Sequence, residues 1–323
     1  MMILFLEKPI NSELIVSYKL NYPNILIYDE NINNFLKSNI LGLYTEVGHK
    51  LDNFFLSEFI NLKFIATPTT SLTHIDLEYC QKSNIKIFSL KNHKSIIKDF
   101  TATAEVAWWH ILELQRKLSL AQASVVAGEW NRRKHLTNTL AGKTLGIIGF
   151  GRLGQRIAKI AECFGMSIYY FDLDVKISKD KNVYLHASSI DEIFLNSDII
   201  SINVDDRPDN INLINSYHFN LIRSPGVILI NTARGFVLNE IEALEALRSG
   251  QLGGLGLDVL KDEEVSERNP NWLSSNLIWK AKTGSNLNIT LTPHVGGATV
   301  ETLNVASKAV LDELYFAVSA LVP

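Results

Sequence analysis

Six residues, Gly149-Phe150-Gly151-Arg152-Leu153-Gly154, and an aspartate at position 172 are the part of this sequence whose types and spacing imply chemistry most directly. Glycine at 149 permits a tight turn, glycine at 151 lets a pyrophosphate approach the backbone, and glycine at 154 lets a helix pack closely on a strand. Such a turn needs a strand before it and a helix after it. Thr144-Leu145-Gly146-Ile147-Ile148 is a β-rich apolar run with the length of a buried strand. Beyond Gly154, the residues Ile157, Ala158, Ile160, Ala161 and Phe164 recur on one helical face, so a helix N-terminus would meet the phosphates. Asp172 ends the next apolar run, Ile168-Tyr169-Tyr170-Phe171. Its carboxylate can accept hydrogen bonds from the adenosine ribose and would repel a 2′-phosphate, so the cofactor reads as NAD rather than NADP. The plainer alternative for Asp172 is a solvated strand-end acid. Arg152, inside the turn, either reaches a phosphate or points to water.

The elements that must carry these residues form two successive α/β units. In the first, apolar runs at Ile3 to Leu6, Ile25 to Tyr28, Ile40 to Leu43, Phe64 to Ala66 and Ile85 to Phe88 alternate with helical patterns. A helical stretch from about Asp99 to Leu118 leads to the second unit. Its runs are Thr144 to Ile148, Ile168 to Phe171, Ile199 to Asn203, Val227 to Ile230, Leu255 to Val259 and Ile289 to Leu291. Strands alternating with helices imply parallel sheets covered on both faces. The expected fold class is therefore α/β, with two doubly wound parallel-sheet domains: a Rossmann NAD-binding domain and a flavodoxin-like substrate domain. Val300 to Leu321 is helical by spacing and is expected to return to the first domain, making it discontinuous. The expected division is 1–113 with 299–323 for the substrate domain and 114–298 for the NAD-binding domain. Two crossings, near 100–120 and 293–300, would form a hinge above a cleft at the strand ends. The stretch Asp262 to Asn288 reads as a polar, irregular surface excursion.

Composition excludes several classes. The 323 residues are 46% hydrophobic and 20% charged, with a net charge of −3, ordinary for a globular protein and no invitation to nucleic acid or an anionic membrane. Arg132-Arg133-Lys134 is the densest basic cluster and reads as a solvated face. Cys80 and Cys163 fall in different expected domains, which fits a reducing compartment without a disulfide. The apolar start, Met1 to Leu6, is cut off by Glu7-Lys8-Pro9 and reads as a strand rather than a signal peptide. No run approaches the roughly 18 apolar residues of a membrane helix. A cytoplasmic protein with no metal site is expected.

Three further polar residues sit at predicted strand ends: Arg234 after Ile228 to Ala233, Glu263 five residues past Asp258, and His294 after Leu291-Thr292-Pro293. Their surroundings, Asn231-Thr232-Ala233-Arg234-Gly235, Gly256-Leu257-Asp258-Val259 and Thr292-Pro293-His294-Val295-Gly296-Gly297, closely resemble those of the NAD-dependent D-2-hydroxyacid dehydrogenases. The glycine turn, Leu140-Ala141-Gly142-Lys143-Thr144 before it and Gly165-Met166 resemble that family too. The resemblance implies interconversion of a D-2-hydroxy acid and its 2-keto acid. Reduction moves a hydride to the carbonyl carbon and a proton to its oxygen. His294 is the natural proton donor because an imidazole titrates near neutrality. Arg234 can hold the substrate carboxylate with its planar fork and polarise the carbonyl. By resemblance, Glu263 pairs with the second ring nitrogen of His294, with Glu264 as the adjacent competitor. By resemblance also, Asp258 holds the nicotinamide carboxamide, and Leu153, Thr232, Ala233 and Gly297 lie beside the cofactor. A homodimer joined through about Ala102 to Trp130, with Arg132 and Arg133, is implied as well.

The substrate loop departs from the family. Where members carry a glycine-rich turn, this chain has Thr67-Pro68-Thr69-Thr70-Ser71, and Thr69 and Ser71 align with the paired glycines. Thr69, Thr70 and Ser71 are the expected substrate contacts, together with Arg234 and with Tyr44 in the loop after the third predicted strand. β-Branched threonine tolerates left-handed geometry poorly. Thr67 stands where phosphate-using members place an arginine, which speaks against a phosphorylated substrate. His74 reads as a polar residue at a helix start. Asn203-Val204-Asp205-Asp206-Arg207 replaces a stretch usually carrying His and Pro beside the cofactor. Trp272 and Trp279 either border the cleft or cover an interface, and Trp108 and Trp109 read as domain or subunit packing. The alternative function is an NAD(H)-sensing, corepressor-like binding protein without turnover.

Overall fold

A computed structural model describes residues 2–6, 12–21, 25–27, 37–46, 48–174, 184–263, 269 and 271–321. Met1, Glu7-Lys8-Pro9, Tyr28 and Glu264 lie outside the described residues. The chain divides into two compact units, residues 1–100 with 297–323 and residues 101–296.

In the first unit, β1 (Met2–Phe5), β2 (Ile25–Ile27), β3 (Ile40–Tyr44), β4 (Phe64–Thr67) and β5 (Lys86–Ser89) form a parallel sheet in the order β2-β1-β3-β4-β5. This is the doubly wound order of flavodoxin-like domains. Helices cover both faces, so the strands read as continuous apolar runs rather than alternating ones. One face packs Ile3, Phe5, Ala66 and Phe88 against Ala306, Val310, Leu311, Leu314 and Val318 of the helix Val300–Ser319. The other gathers Leu4, Leu43, Leu56, Ile65, Ile75 and Cys80.

In the second unit, β6 (Thr144–Ile148), β7 (Ser167–Phe171), β8 (Leu185–His186), β9 (Ile199–Ile202), β10 (Val227–Asn231), β11 (Leu252–Leu257) and β12 (Ile289–Leu291) form a parallel sheet in the order β12-β11-β10-β9-β6-β7-β8. This is the dinucleotide-binding order extended by one edge strand, with its switch point between β6 and β9. β8 escaped the sequence reading because two residues are too few to show a period.

The helix Ala102–Arg116 belongs wholly to the second unit. Its buried face, Ala104, Ala107, Trp108, His110, Ile111 and Leu114, packs on β10 and β11, so the division falls after residue 100 rather than 113. The helix stops at Lys117, which is left-handed (φ 49°), and a second helix, Leu118–Val126, follows. Trp108 is a core residue of this unit, stacked on Phe164 at 4.9 Å. The expected polar excursion also has more order than its composition suggested. Among its described residues are the helices Trp272–Ser275 and Leu277–Gly284. Asn276 caps the second by accepting from Ile278 and Trp279 N–H, while Ile278 and Ala281 join the core and Trp272 packs against it. No helix among the described residues is long and apolar enough to cross a membrane.

Candidate active site

The chemistry-bearing residues of the second unit lie just beyond the C-terminal ends of its strands, where ligands of doubly wound sheets bind. The glycine turn follows β6. Gly149 has φ +89°, and a Cβ there would meet the Asn203 carbonyl oxygen at 2.6 Å. At Gly154 a Cβ would lie 2.3 Å from the Gly149 carbonyl, so helix and strand touch. Around Gly151 a Cβ would find nothing within 4 Å. That open backbone caps the helix Arg152–Cys163, whose N-cap has no side-chain hydrogen bond. Open space and a helix N-terminus together fit a pyrophosphate. Arg152 and Leu153 open this helix, and Asp172 lies beside the turn, its Oδ2 accepting from Phe150 N–H at 2.6 Å. The carboxylate is thus anchored where a ribose would arrive.

After β10, Asn231 shapes the next turn. Its Oδ1 accepts from Ala233 N–H at 3.0 Å and its Nδ2 donates to the Arg234 carbonyl at 2.9 Å. Thr232 and Ala233 are buried, and Arg234 is half-buried, its Nη1 donating to the Ala233 carbonyl at 2.6 Å. Gly235 lies so close to Leu260 that a Cβ would come within 2.2 Å of that backbone. This contact joins the Arg234 turn to the loop carrying Glu263.

The third turn follows β12 and carries His294, whose Nδ1 is 2.7 Å from Glu263 Oε1. Glu263 Oε2 accepts from Leu260 N–H at 3.1 Å, which fixes the carboxylate. The bond to Glu263 raises the His294 pKa against the opposing effect of burial, and Asp258 adds to the rise while Arg234 opposes it. The ring thus favours its charged form, and its side chain is still 42% exposed. Behind Glu263, burial and the charges of Asp262 and Glu263 push the Glu240 carboxyl up to about 7, although Lys261 N–H donates to it.

Asp258 organises the turn. It is 1% exposed, its Oδ1 accepts from Thr292 Oγ1 at 2.6 Å and from Val295 N–H at 2.9 Å, and its Oδ2 accepts from Gly296 N–H at 2.8 Å. Its carbonyl accepts from His294 N–H at 2.8 Å. His294 is left-handed at φ 51°, a conformation costing a non-glycine residue about 1 kcal/mol or more, and these bonds hold it there. A carboxylate has roughly four lone-pair sites, so a nicotinamide carboxamide would be a fourth donor to Asp258. Gly297 is exposed and begins the chain's return to the first unit.

The first unit holds the remaining expected site residues. The loop after β4 contains no left-handed residue from Thr67 to Ser71, so threonine is accommodated without strain. Thr69 Oγ1 donates to the Ser71 carbonyl at 2.6 Å and lies 3.1 Å from Thr67 Oγ1. Thr70 is exposed and Ser71 half-exposed, while Thr67 and His74 are buried 3.4 Å apart. Tyr44 requires a correction. It is the last residue of β3, it is 0% exposed, and its hydroxyl donates to Ser307 Oγ at 2.9 Å. Its ring packs on Phe5, so Tyr44 is a core residue and not a substrate contact. The sequence reading also missed His110, Thr290 and Thr292, which lie behind the turn that carries His294. Their signal was a histidine on the otherwise apolar face of a core helix.

A glycine turn of the dinucleotide type, a histidine paired with a carboxylate that raises its pKa and a neighbouring arginine are the parts that a nicotinamide-dependent dehydrogenase of small acids needs. Residues 108–296 match the model of the D-isomer specific 2-hydroxyacid dehydrogenase NAD-binding domain. The chain is 33% identical to glyoxylate reductase from Thermococcus litoralis over 80% of this chain and 75% of that one. It is 31% identical to D-3-phosphoglycerate dehydrogenase from Bacillus subtilis over 80% of this chain and 46% of that protein. The structure of D-lactate dehydrogenase from Aquifex aeolicus, complexed with NAD and lactic acid, superposes with a TM-score of 0.81 at 27% identity, covering 99% of this chain and 96% of that one. The chain belongs to the D-isomer specific 2-hydroxyacid dehydrogenase family. It is accordingly an NAD-dependent oxidoreductase of the D-2-hydroxy acid and 2-keto acid couple.

Proposed function

We propose that the protein reduces a small, unphosphorylated 2-keto acid with NADH, using His294 as proton donor, Glu263 as its partner and Arg234 as substrate anchor. The observation that carries this reading is the 2.7 Å pair between His294 Nδ1 and Glu263 Oε1. Glu263 occupies Nδ1, so Nε2 is the ring atom that delivers the proton to the carbonyl oxygen, and in the oxidative direction it takes the alcohol proton. The charged ring also opposes negative charge developing on that oxygen. Arg234 binds the substrate carboxylate through its planar guanidinium and draws electron density from the carbonyl. A nicotinamide bound here would supply the hydride. Gly149, Gly151, Arg152, Leu153 and Gly154 would hold the pyrophosphate, Asp172 the adenosine ribose, and Thr232, Ala233, Asp258 and Gly297 the nicotinamide side.

The substrate class follows from the loop after β4, where Thr67 to Thr73 include no lysine or arginine. Backbone N–H groups of Thr69 and Thr70 have no acceptor among the described residues, which suits a carboxylate, whereas nothing there offsets a phosphate. Glyoxylate reductase and D-lactate dehydrogenase, by their names, act on unphosphorylated acids. The helix Leu118–Val126 and the residues after it expose Leu118, Leu120, Val125, Val126 and Trp130, which supports a homodimer. Free thiols at Cys80 and Cys163 suit a cytoplasmic location.

The deciding assay is NADH oxidation against glyoxylate, pyruvate, hydroxypyruvate and branched, aromatic and phosphorylated 2-keto acids. Turnover of an unphosphorylated member, abolished in His294→Ala, supports the proposal. Tight NADH binding without turnover on any member would instead favour an NAD(H)-sensing protein.

A further inference from the structure

Behind the catalytic turn runs a buried row of polar side chains that touches neither proton nor hydride. His110, on the helix Ala102–Arg116, is 0% exposed, yet both ring nitrogens are bonded: Nδ1 to Thr290 Oγ1 at 2.7 Å and Nε2 to Thr292 Oγ1 at 3.0 Å. Thr292 Oγ1 then donates to Asp258 Oδ1 at 2.6 Å. The helix comes this near because residue 256 of β11 is glycine, where a Cβ would lie 2.9 Å from His110 Cβ.

The direction of each bond follows from the last one. The Asp258 carboxylate only accepts, so the Thr292 hydroxyl proton goes to it. Thr292 Oγ1 must then accept from His110, which places the ring proton on Nε2. Burial keeps the ring neutral, pushing it down to about 4 even with Asp258 nearby. Nδ1 therefore carries a lone pair and accepts the Thr290 hydroxyl proton. The donors align as Thr290, His110, Thr292 and end on the carboxylate that holds Val295 and Gly296 N–H.

We infer that His110 is a positioning residue for the acid/base step: through Thr292 it orients Asp258, and Asp258 holds the turn that presents His294 to Glu263. This inference rests on the proposed role of His294. His294 is faced by Glu263, Asp258 and Arg234, and His110 by Asp258, so a loosened turn carries the His294 ring away from two carboxylates. Its pKa then falls toward the ordinary histidine value of about 6.5.

The test is a pH titration of the full-length protein, selectively 15N-labelled at histidine, followed by NMR. It needs no substrate, so its outcome is independent of whether the substrate panel succeeds. In the wild type, His110 stays in the neutral Nε2–H form across the range where a free histidine titrates. In His110→Leu the His294 pKa falls, and kcat for keto acid reduction drops about tenfold while KM for NADH changes less than about threefold. His110→Gln, which keeps one acceptor and one donor, restores most of both. Thr290→Val, a smaller change that also serves if the leucine variant does not fold, moves the His294 pKa in the same direction by less. A folded Thr290→Val protein with unaltered His294 pKa and kcat overturns the inference. So does a His110→Leu protein that loses thermal stability alone.

Discussion

Two loops, each following a parallel strand, illustrate different ways of building a functional site. The turn after β12 is held from behind. A buried carboxylate takes three donors, His294 is kept left-handed, and His110 and Thr292 support Asp258. The loop after β4 is held by contacts among Thr67, Thr69, Ser71 and His74, with ordinary backbone angles. Two bonds tie it to the rest of its unit, Leu90 N–H to the Thr69 carbonyl and Thr67 Oγ1 to the Glu46 carbonyl. Proton transfer needs one nitrogen at one place, and small displacements cost rate steeply. Recognition needs only a complementary surface, which several sequences can supply. The turn after β12 keeps the family's residues, and the loop after β4 departs from them.

Each side of this contrast can be broken by mutation. His294→Ala should lower kcat by roughly 10³-fold while the NADH dissociation constant, read by fluorescence titration, stays within about threefold. Near-wild-type turnover would remove His294 from the mechanism. Glu263→Gln should lower kcat by about 30-fold and move the alkaline limb of keto acid reduction to lower pH. The sign follows from the raised pKa. Reduction uses the protonated ring and fails as pH rises through its pKa, and loss of Glu263 lowers that value. By the same linkage, the stability contributed by the pair is fully present below about pH 6.5 and is lost as pH rises through the folded-state value. A pH-independent melting difference between wild type and Glu263→Gln would contradict it.

Asp172→Ser should raise KM for NADH about tenfold and narrow the preference over NADPH. Unchanged preference would mean that the carboxylate serves only the glycine turn. The smallest effect belongs to the β4 loop. Thr70→Arg, at an exposed position, should improve kcat/KM for a phosphorylated keto acid by about fivefold, the worth of one exposed ion pair. Activity toward the best unphosphorylated substrate should stay within about threefold. A collapse of all activity in this variant would show that the loop supports catalysis as rigidly as the turn after β12.

The residues proposed to meet cofactor or proton were readable because their reasons are local. Gly149 and Gly154 are demanded by a turn and a close approach a few residues away, and Arg234 and His294 each follow an apolar run that ends at the site. The misreadings have a common cause in long-range contacts. Tyr44 continues a strand buried on both faces, and its hydroxyl lies nearer to Ser307, far along the chain, than to Glu46, at 2.9 Å against 3.3 Å. His110 meets Thr290 and Thr292, 180 and 182 residues further along, and its place on an apolar helix face signals a buried histidine without naming those partners. The helix Leu277–Gly284 was hidden because it is only eight residues long and its start depends on the cap at Asn276.

The first unit's core also ties assembly to the order of synthesis. The sheet laid down by residues 1–100 has one face covered by Val300–Ser319, a helix synthesised only after the whole of the second unit. At about 5–20 residues per second, the intervening segment takes roughly 10–40 s to translate. Through that interval Ile3, Phe5, Ala66 and Phe88 lack their partners, whereas at its end the second unit has every strand it needs to fold. The nascent chain should therefore recruit chaperones through the β1–β5 sheet, and deleting Val300–Ser319 should send that sheet, not the dinucleotide-binding unit, into aggregates.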